Sequence, residues 1–143
     1  MTDDTQRVLF LCTHNSARSQ MAEGLLRAAA GDHYQALSAG TEATGVRPEA
    51  IRAMAELGID ISAQHSKTLE RFLGQRINWL ITVCDQAREA CPTLPGVANQ
   101  LHWSVEDPSA VTGTDDERLA AFRAARDDLA RRIEAFLSES ATG

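Results

Sequence analysis

Val8-Leu9-Phe10-Leu11-Cys12-Thr13-His14-Asn15-Ser16-Ala17-Arg18-Ser19 joins an unbroken apolar run to the start of a helical pattern, with a thiol and a guanidinium at the two ends of a short loop. A loop between a buried strand and a helix N-terminus turns several backbone N–H groups into one concavity, and the helix dipole adds partial positive charge there. The residues Thr13, His14, Asn15, Ser16, Ala17 and Arg18 therefore read as an oxyanion cradle. Cys12 stands at its mouth, where the same amides and Arg18 stabilise the thiolate, the reactive form of cysteine. Taken singly, a Cys at a strand end is a small hydrophobe and an Arg at a helix start is a solvated charge. The Cys-x5-Arg-Ser spacing between strand and helix points instead to a nucleophile aimed at a bound tetrahedral anion.

The chain has 143 residues, 43% of them apolar and 24% charged, which suits a single globular domain over 1–143. No apolar stretch approaches a membrane span, and Asp3 and Asp4 stand where a basic leader would begin, so neither export nor membrane anchoring is expected. Three cysteines do not make a secreted disulfide framework, which points to the reducing cytoplasm and to thiols used for chemistry. A net charge of −6 argues against nucleic acid as a partner. A small anion is still admissible, because surface charge is screened beyond roughly 8–10 Å while amides and one Arg act at contact range.

Around the opening strand, Met21, Ala22, Leu25, Leu26 and Ala29 lie on one face of a helix over 19–30, and Tyr34 to Ala39 reads as a strand ending at Gly40. Pro48 suits a first helical position, Ile51, Met54 and Leu57 recur at helical spacing, and Gly58 suits the position just past the end. A short helix is suggested around Thr68–Leu73. Ile77 to Val83 is apolar on both faces, as in a covered parallel sheet, and Val97 to Trp103 is a weaker strand. Thr114-x-x-Glu117 is a capping box ahead of Leu119, Phe122, Ala125, Leu129, Ile133 and Phe136, while Ser138 to Gly143 reads as a frayed tail. This order predicts an α/β fold of three layers, with a parallel sheet of about four strands and helices on both faces. Ligands of such sheets bind beyond the carboxyl ends of the strands, where Cys12 would lie.

Two further segments follow strands on that rim. In Glu106-Asp107-Pro108, Asp107 is placed to protonate a leaving oxygen, the alternative being a turn-forming Asp-Pro. Cys84 and Cys91 are seven positions apart. On a helix that spacing stacks them about 10 Å apart, beyond the roughly 7 Å limit for a disulfide, so a bond between them requires the segment to unwind. Two other readings stay open: inert buried thiols, or a zinc site that recruits His102, although structural zinc favours Cys pairs two to four residues apart, so no metal centre is expected.

The stretch from Val8 to Arg27, the Cys84/Cys91 pair and the Asp107-Pro108 loop resemble the thioredoxin-coupled arsenate reductases of the low-molecular-weight protein tyrosine phosphatase fold. The likeness covers nearly the whole chain. The cradle and the Asp-Pro loop are shared with true phosphatases, and the extra cysteine pair is what discriminates; mycothiol-dependent arsenate transferases are also similar but do not require both additional thiols.

The resemblance implies that arsenate, or a phosphate-like oxyanion, sits between Cys12 and Arg18 and is attacked by Cys12 while Asp107 protonates the departing hydroxide. It further implies that Cys84 attacks the Cys12 adduct, that Cys91 resolves the Cys12–Cys84 disulfide, and that thioredoxin reduces Cys84–Cys91, with no tightly bound cofactor. Asn15 and Ser19 correspond to residues that hold the cradle open and stabilise the thiolate; a loop Asn and a helix-capping Ser are equally compatible. Some members bind a monovalent cation, with ligands that fall around Asn15, Glu23 and Ser38. Lys67 stands where such members offer an acidic ligand, either as an ammonium in place of the cation or as an ordinary solvated lysine. The rival function is a tyrosine phosphatase using Cys12, Arg18 and Asp107, with Cys84 and Cys91 as passengers. A phosphoryl carrier or anion-binding module ranks third.

Overall fold

The computed structural model describes residues 5–15, 17–72, 74–83 and 96–142, so Ser16, Leu73, Cys84 and Cys91 lie outside the described residues. Strands β1 (Gln6–Cys12), β2 (Tyr34–Gly40), β3 (Ile77–Thr82) and β4 (Val97–His102) form one parallel sheet in the order β2-β1-β3-β4. Helices α1 (Arg18–Ala30), α2 (Pro48–Ala55) and α3 (Asp115–Thr142) pack against one another, and single 3₁₀ turns occupy Leu69–Phe72 and Pro108–Ala110. The α/β architecture and the four strands expected from the pattern are present. No helix among the described residues is long and apolar enough to cross a membrane.

The strand order explains where a ligand goes. From β1 the chain moves outward to β2, then returns to the other side of β1 to lay down β3 and β4. The topological switch therefore falls between β1 and β3, and the crevice beyond their carboxyl ends is the default seat for a ligand in an open parallel sheet. Cys12 is the last residue of β1. Beside it, the N–H of Val83 donates to the Leu11 carbonyl at 2.9 Å, so the chain leaves β3 against the end of the Cys12 strand.

Burial follows position in the sheet. Val8, Leu9, Phe10 and Leu11 are at most 1% exposed because β1 has a strand on each side and both of its faces are covered. At the opposite extreme β4 is an edge strand whose Ala98, Asn99 and Gln100 are exposed, which is why its sequence signal is weak. Phe136 of α3 ties the sheet together: its ring lies 5.2 Å from Trp79 of β3, 5.7 Å from Tyr34 of β2 and 6.4 Å from Trp103 beyond β4.

The helix ends show which local signals carried. Thr114 Oγ1 accepts from the Glu117 N–H at 3.1 Å while Glu117 Oε1 accepts from the Thr114 N–H at 3.2 Å, the reciprocal pairing of a capping box. Gly58 (φ 76°) closes α2: its N–H reaches the Ala55 carbonyl and the Ile59 N–H reaches that of Met54, a Schellman arrangement with Gly58 just past the cap. Two apolar positions differ from expectation. Leu57 is 48% exposed because the helix closes ahead of it, and Ala29 is exposed on the last turn of α1. The segment read as a frayed tail from Ser138 is helical through Thr142, since no Gly or Pro interrupts it before Gly143.

One glycine sets the distance between sheet and loop. A Cβ on Gly40 would lie 2.7 Å from the Asn15 nitrogen, 2.7 Å from the Thr13 carbonyl oxygen and 2.6 Å from that of Glu42, all backbone atoms that cannot swing aside. Gly40→Ala is expected to lower the unfolding free energy by about 1–3 kcal/mol, as overpacking does, measured by urea denaturation with an unchanged m-value.

Candidate active site

The loop from Thr13 to Ala17 is held open from outside. The Thr13 carbonyl accepts from the Glu42 N–H at 2.9 Å and from Thr41 Oγ1 at 3.1 Å, and the His14 carbonyl accepts from Ser66 Oγ at 3.1 Å and the Thr44 N–H at 3.4 Å. In a planar trans peptide the N–H points opposite to the C=O, so tying these two carbonyls outward turns the N–H groups of His14 and Asn15 to the concave side. Asn15 makes the bend at φ 50°, a left-handed conformation that asparagine tolerates better than most residues. Helix α1 then starts at Arg18, so its dipole ends at the same concavity.

Behind the loop a chain of hydrogen bonds runs from the Lys67 backbone to the Cys12 sulfur. The backbone N–H of Lys67, which can only donate, reaches Asn15 Oδ1 at 2.7 Å, and Gln20 Nε2 reaches the same oxygen at 2.9 Å. That fixes the amide of Asn15 so that its Nδ2 faces, and donates to, Ser19 Oγ at 2.8 Å. The Ser19 hydroxyl, accepting there, also lies within hydrogen-bond reach of Cys12 Sγ at 2.8 Å, and it is the donor whenever the sulfur is a thiolate. Cys12 is 3% exposed, with the Ser19 hydroxyl as its polar neighbour. The capping alternative for Ser19 falls away: the N-cap of α1 is Ala17, with no side-chain cap.

Arg18 is likewise no solvated charge, being 8% exposed. Its Nη1 donates to the Val105 carbonyl at 2.9 Å and its Nη2 stands 3.7 Å from Asp107 Oδ2. The guanidinium therefore bridges the cradle and the loop after β4. Asp107 serves the turn as well, accepting at Oδ1 from the Ser109 N–H at 2.9 Å and from Ser109 Oγ at 2.6 Å. Its carboxyl is held below the usual aspartate range: burial pushes it up, but the Ser109 hydroxyl, the positive charge of Arg18, the Ser109 N–H and His14 together outweigh that. At the rim, His14 Nδ1 lies 3.2 Å from Glu42 Oε2, with both side chains more than half exposed.

A second polar cluster sits beneath the cradle. Glu23 Oε1 accepts from Ser38 Oγ at 2.6 Å, Arg27 pairs with Oε2, and Lys67 Nζ lies 3.8 Å from Oε1. Lys67 is only 14% exposed at its side chain, so the solvated reading does not hold. Burial is the main cause of its lowered ammonium affinity for a proton, partly offset by Glu23 and reinforced by Arg71 and Arg27. Glu23, Ser38 and Lys67 thus meet as the family resemblance implied, and Asn15 joins them through the Lys67 backbone. No group of three or more His, Cys, Asp or Glu side chains among the described residues is disposed to hold a metal ion. His102 Nδ1 is 2.7 Å from Thr82 Oγ1. Cys84, Cys91 and Ser16 lie outside the described residues.

Two site residues escaped the sequence reading. Gln20 is fully buried and its amide also reaches the Asn15 and His65 carbonyls, at 3.1 and 2.9 Å. Its one signal was a polar side chain beside Met21 and Ala22 on the buried face of α1. Ser109 carried no signal beyond the turn that Asp107-Pro108 already announced.

Known proteins share this arrangement. The chain is 46% identical over 129 residues to an arsenate reductase of Halalkalibacterium halodurans, covering 90% of this chain and 93% of that protein. The structure superposes on an arsenate reductase in the phosphate-binding state with a TM-score of 0.78 and 32% identity, over 94% of this chain and 98% of the other. A thioredoxin-dependent arsenate reductase of Corynebacterium glutamicum superposes with a TM-score of 0.63 and 28% identity, over 94% of this chain and 65% of that one. The cradle after β1, the Arg that opens α1 and the Asp-Pro turn after β4 all fall within the match of the low molecular weight phosphotyrosine protein phosphatase family to residues 7–142, and the chain belongs to that family.

Proposed function

We propose that this protein reduces arsenate to arsenite with a thiolate, Cys12, and recycles through Cys84, Cys91 and thioredoxin. The observation that carries the reading is the hydrogen-bond chain that joins the Lys67 N–H through Asn15 and Ser19 to Cys12 Sγ, at the end of a loop closed by Arg18. Such a chain prepares a nucleophile. The likeness to arsenate reductases, one of them thioredoxin-dependent, and the two further cysteines in the sequence favour arsenic over phosphorus as the atom attacked.

Arsenate enters with its oxygens on the loop amides of Thr13 to Ala17 and on Arg18. Cys12 Sγ attacks arsenic, an As–O bond breaks, and the departing hydroxide takes a proton from Asp107 and leaves as water. Before binding, Arg18 stands against Asp107 Oδ2 and helps keep it ionised. An oxyanion that engages Arg18 cancels that charge, so the affinity of Asp107 for a proton rises as the substrate arrives. The Cys84 thiolate then attacks Cys12 Sγ; the S–As bond breaks with its electron pair left on arsenic, which departs as arsenite. Cys91 attacks Cys84, frees Cys12 and leaves a Cys84–Cys91 disulfide. The dithiol of thioredoxin is a competent reductant for it.

The second reading, a tyrosine phosphatase, uses Cys12, Arg18 and Asp107 in the same places and is favoured by the family match. Cys91→Ser separates the two. Steady-state turnover with arsenate and thioredoxin is expected to fall to background while cleavage of an aryl phosphate persists; unchanged arsenate turnover would sink the reductase reading.

Ser19→Ala removes the hydroxyl that stands 2.8 Å from Cys12 Sγ and donates to its thiolate form. A hydrogen bond to a charged group is worth about 1.5–3 kcal/mol, so alkylation of Cys12 by iodoacetamide at neutral pH is expected to slow by roughly tenfold or more, followed by mass spectrometry.

The Lys67 ammonium beside Glu23 supplies a fixed positive charge where some family members take a monovalent cation. Arsenate turnover is accordingly expected to be the same in potassium as in tetramethylammonium salts of equal ionic strength, and a potassium requirement would refute this assignment.

A further inference from the structure

We propose that Ser109 is a positioning residue for Asp107: its hydroxyl and its own backbone N–H together occupy Oδ1 and reserve Oδ2 as the oxygen that carries and delivers the proton. This rests on the reading of Asp107 as the proton donor and adds the device that orients it.

The turn itself does not need the hydroxyl. Asp107 caps the short turn Pro108–Ala110 by accepting the Ser109 N–H at 2.9 Å, and that contact exists for any residue at 109 except proline. The hydroxyl adds a second donor to the same oxygen at 2.6 Å. A carboxyl group turns readily about its terminal torsion, whose wells are broad and two-fold, so an unpinned aspartate presents either oxygen. While the group is ionised a half-turn merely exchanges two equivalent oxygens, but once it is protonated a half-turn would set the O–H against the two Ser109 donors. Oδ2 is left facing Arg18 Nη2 at 3.7 Å, on the side of the cradle.

The arrangement suits both protonation states. When Asp107 is ionised, Oδ1 accepts from both Ser109 donors; when it is protonated, the proton resides on Oδ2 and Oδ1, now carbonyl-like, accepts from the same two. The proton is therefore carried at the same position, the one facing Arg18 and the cradle, in every cycle. Other charged groups around this carboxyl are Arg18 of α1, His14 of the cradle and the neighbouring Glu106, with Asp128 and Arg131 of α3 lining the same groove. Among these partners, the Ser109 hydroxyl is the one whose removal leaves every charge in place. Its loss also lets Asp107 hold its proton to higher pH, because a donor to the ionised form has gone.

The test is a carbon-13 NMR titration of the full-length protein labelled at aspartate carboxyls, with the Asp107 signal identified by its absence in Asp107→Asn. In Ser109→Ala that signal is expected to titrate at higher pH than in the parent protein, and the alkaline limb of kcat/KM for arsenate is expected to move the same way. The urea unfolding midpoint should stay where it is, and Ser109→Thr, which restores a hydroxyl, should return both titrations toward the parent. An unmoved signal and limb in Ser109→Ala, or a shift that Ser109→Thr does not reverse, would overturn the inference. If Asp107→Asn turns over arsenate like the parent at every pH, the proton-donor reading itself fails, and this inference with it; an impaired Asp107→Asn beside an unshifted Ser109→Ala removes the inference alone.

Discussion

The direction of one amide governs the chemistry of this site. Asn15 has two nearly isosteric ends, and the Lys67 backbone N–H, a group that can only donate, decides which end faces it. Nδ2 therefore faces Ser19, whose hydroxyl accepts from it and keeps its own proton available to the thiolate form of Cys12, where a reversed amide would have claimed that proton. Gln20 secures the same orientation from a second side, and its own oxygen accepts from Gln64 Nε2 at 2.7 Å, so the order extends into the network beneath the loop. A buried network of this kind is stable only when complete, because each polar group left without a partner in a low-dielectric setting costs about 1–3 kcal/mol.

Lys67 makes the network more than local. Its N–H orients Asn15, its carbonyl accepts from the Gly40 N–H at 2.8 Å, and its side chain runs to Glu23. One residue thus links the end of β2, the cradle and a buried carboxylate in α1. Gly40 completes the triangle from the other direction, since the absence of a Cβ lets β2 approach the Thr13 and Asn15 backbone. The cradle is therefore shaped by contacts from behind and beside it, before any anion enters.

This division accounts for what was legible in the chain. The expectations that the fold bears out rest on short-range rules: the apolar run into Cys12, the Thr114–Glu117 capping box and Gly58 past α2 are each decided within a few residues. The contacts that set the chemistry join distant positions, 52 apart for Lys67 and Asn15 and 87 apart for Arg18 and Val105. Gln20 reads in sequence as one more polar residue on an amphipathic helix, and Ser109 as one more turn residue. Leu57 shows the converse failure: helical spacing placed it on the apolar face, but the cap chosen by Gly58 ended α2 before it could be buried. Spacing places a thiol at the end of a strand; it does not say which hydroxyl will face it.

A chain of net charge −6 that captures an oxyanion needs a site whose charge balance tolerates it. Before capture, Arg18 is already opposed by a carboxylate, Asp107, at 3.7 Å. In the proposed reaction the arriving oxyanion competes for the same guanidinium and holds the advantage, because it also meets the inward N–H groups of the loop, while Asp107 is 39% exposed at its side chain and its attraction to Arg18 is weakened by solvent. Displaced from its counter-charge, Asp107 becomes the easiest place for an incoming proton, with Ser109 holding Oδ1 and leaving Oδ2 to take it. The site then returns to nearly the charge it had when empty. In that proposed reaction electrostatic relief on binding and the supply of a proton for the leaving hydroxide are one event, because the carboxylate paired with Arg18 is also the group whose proton the next step would consume.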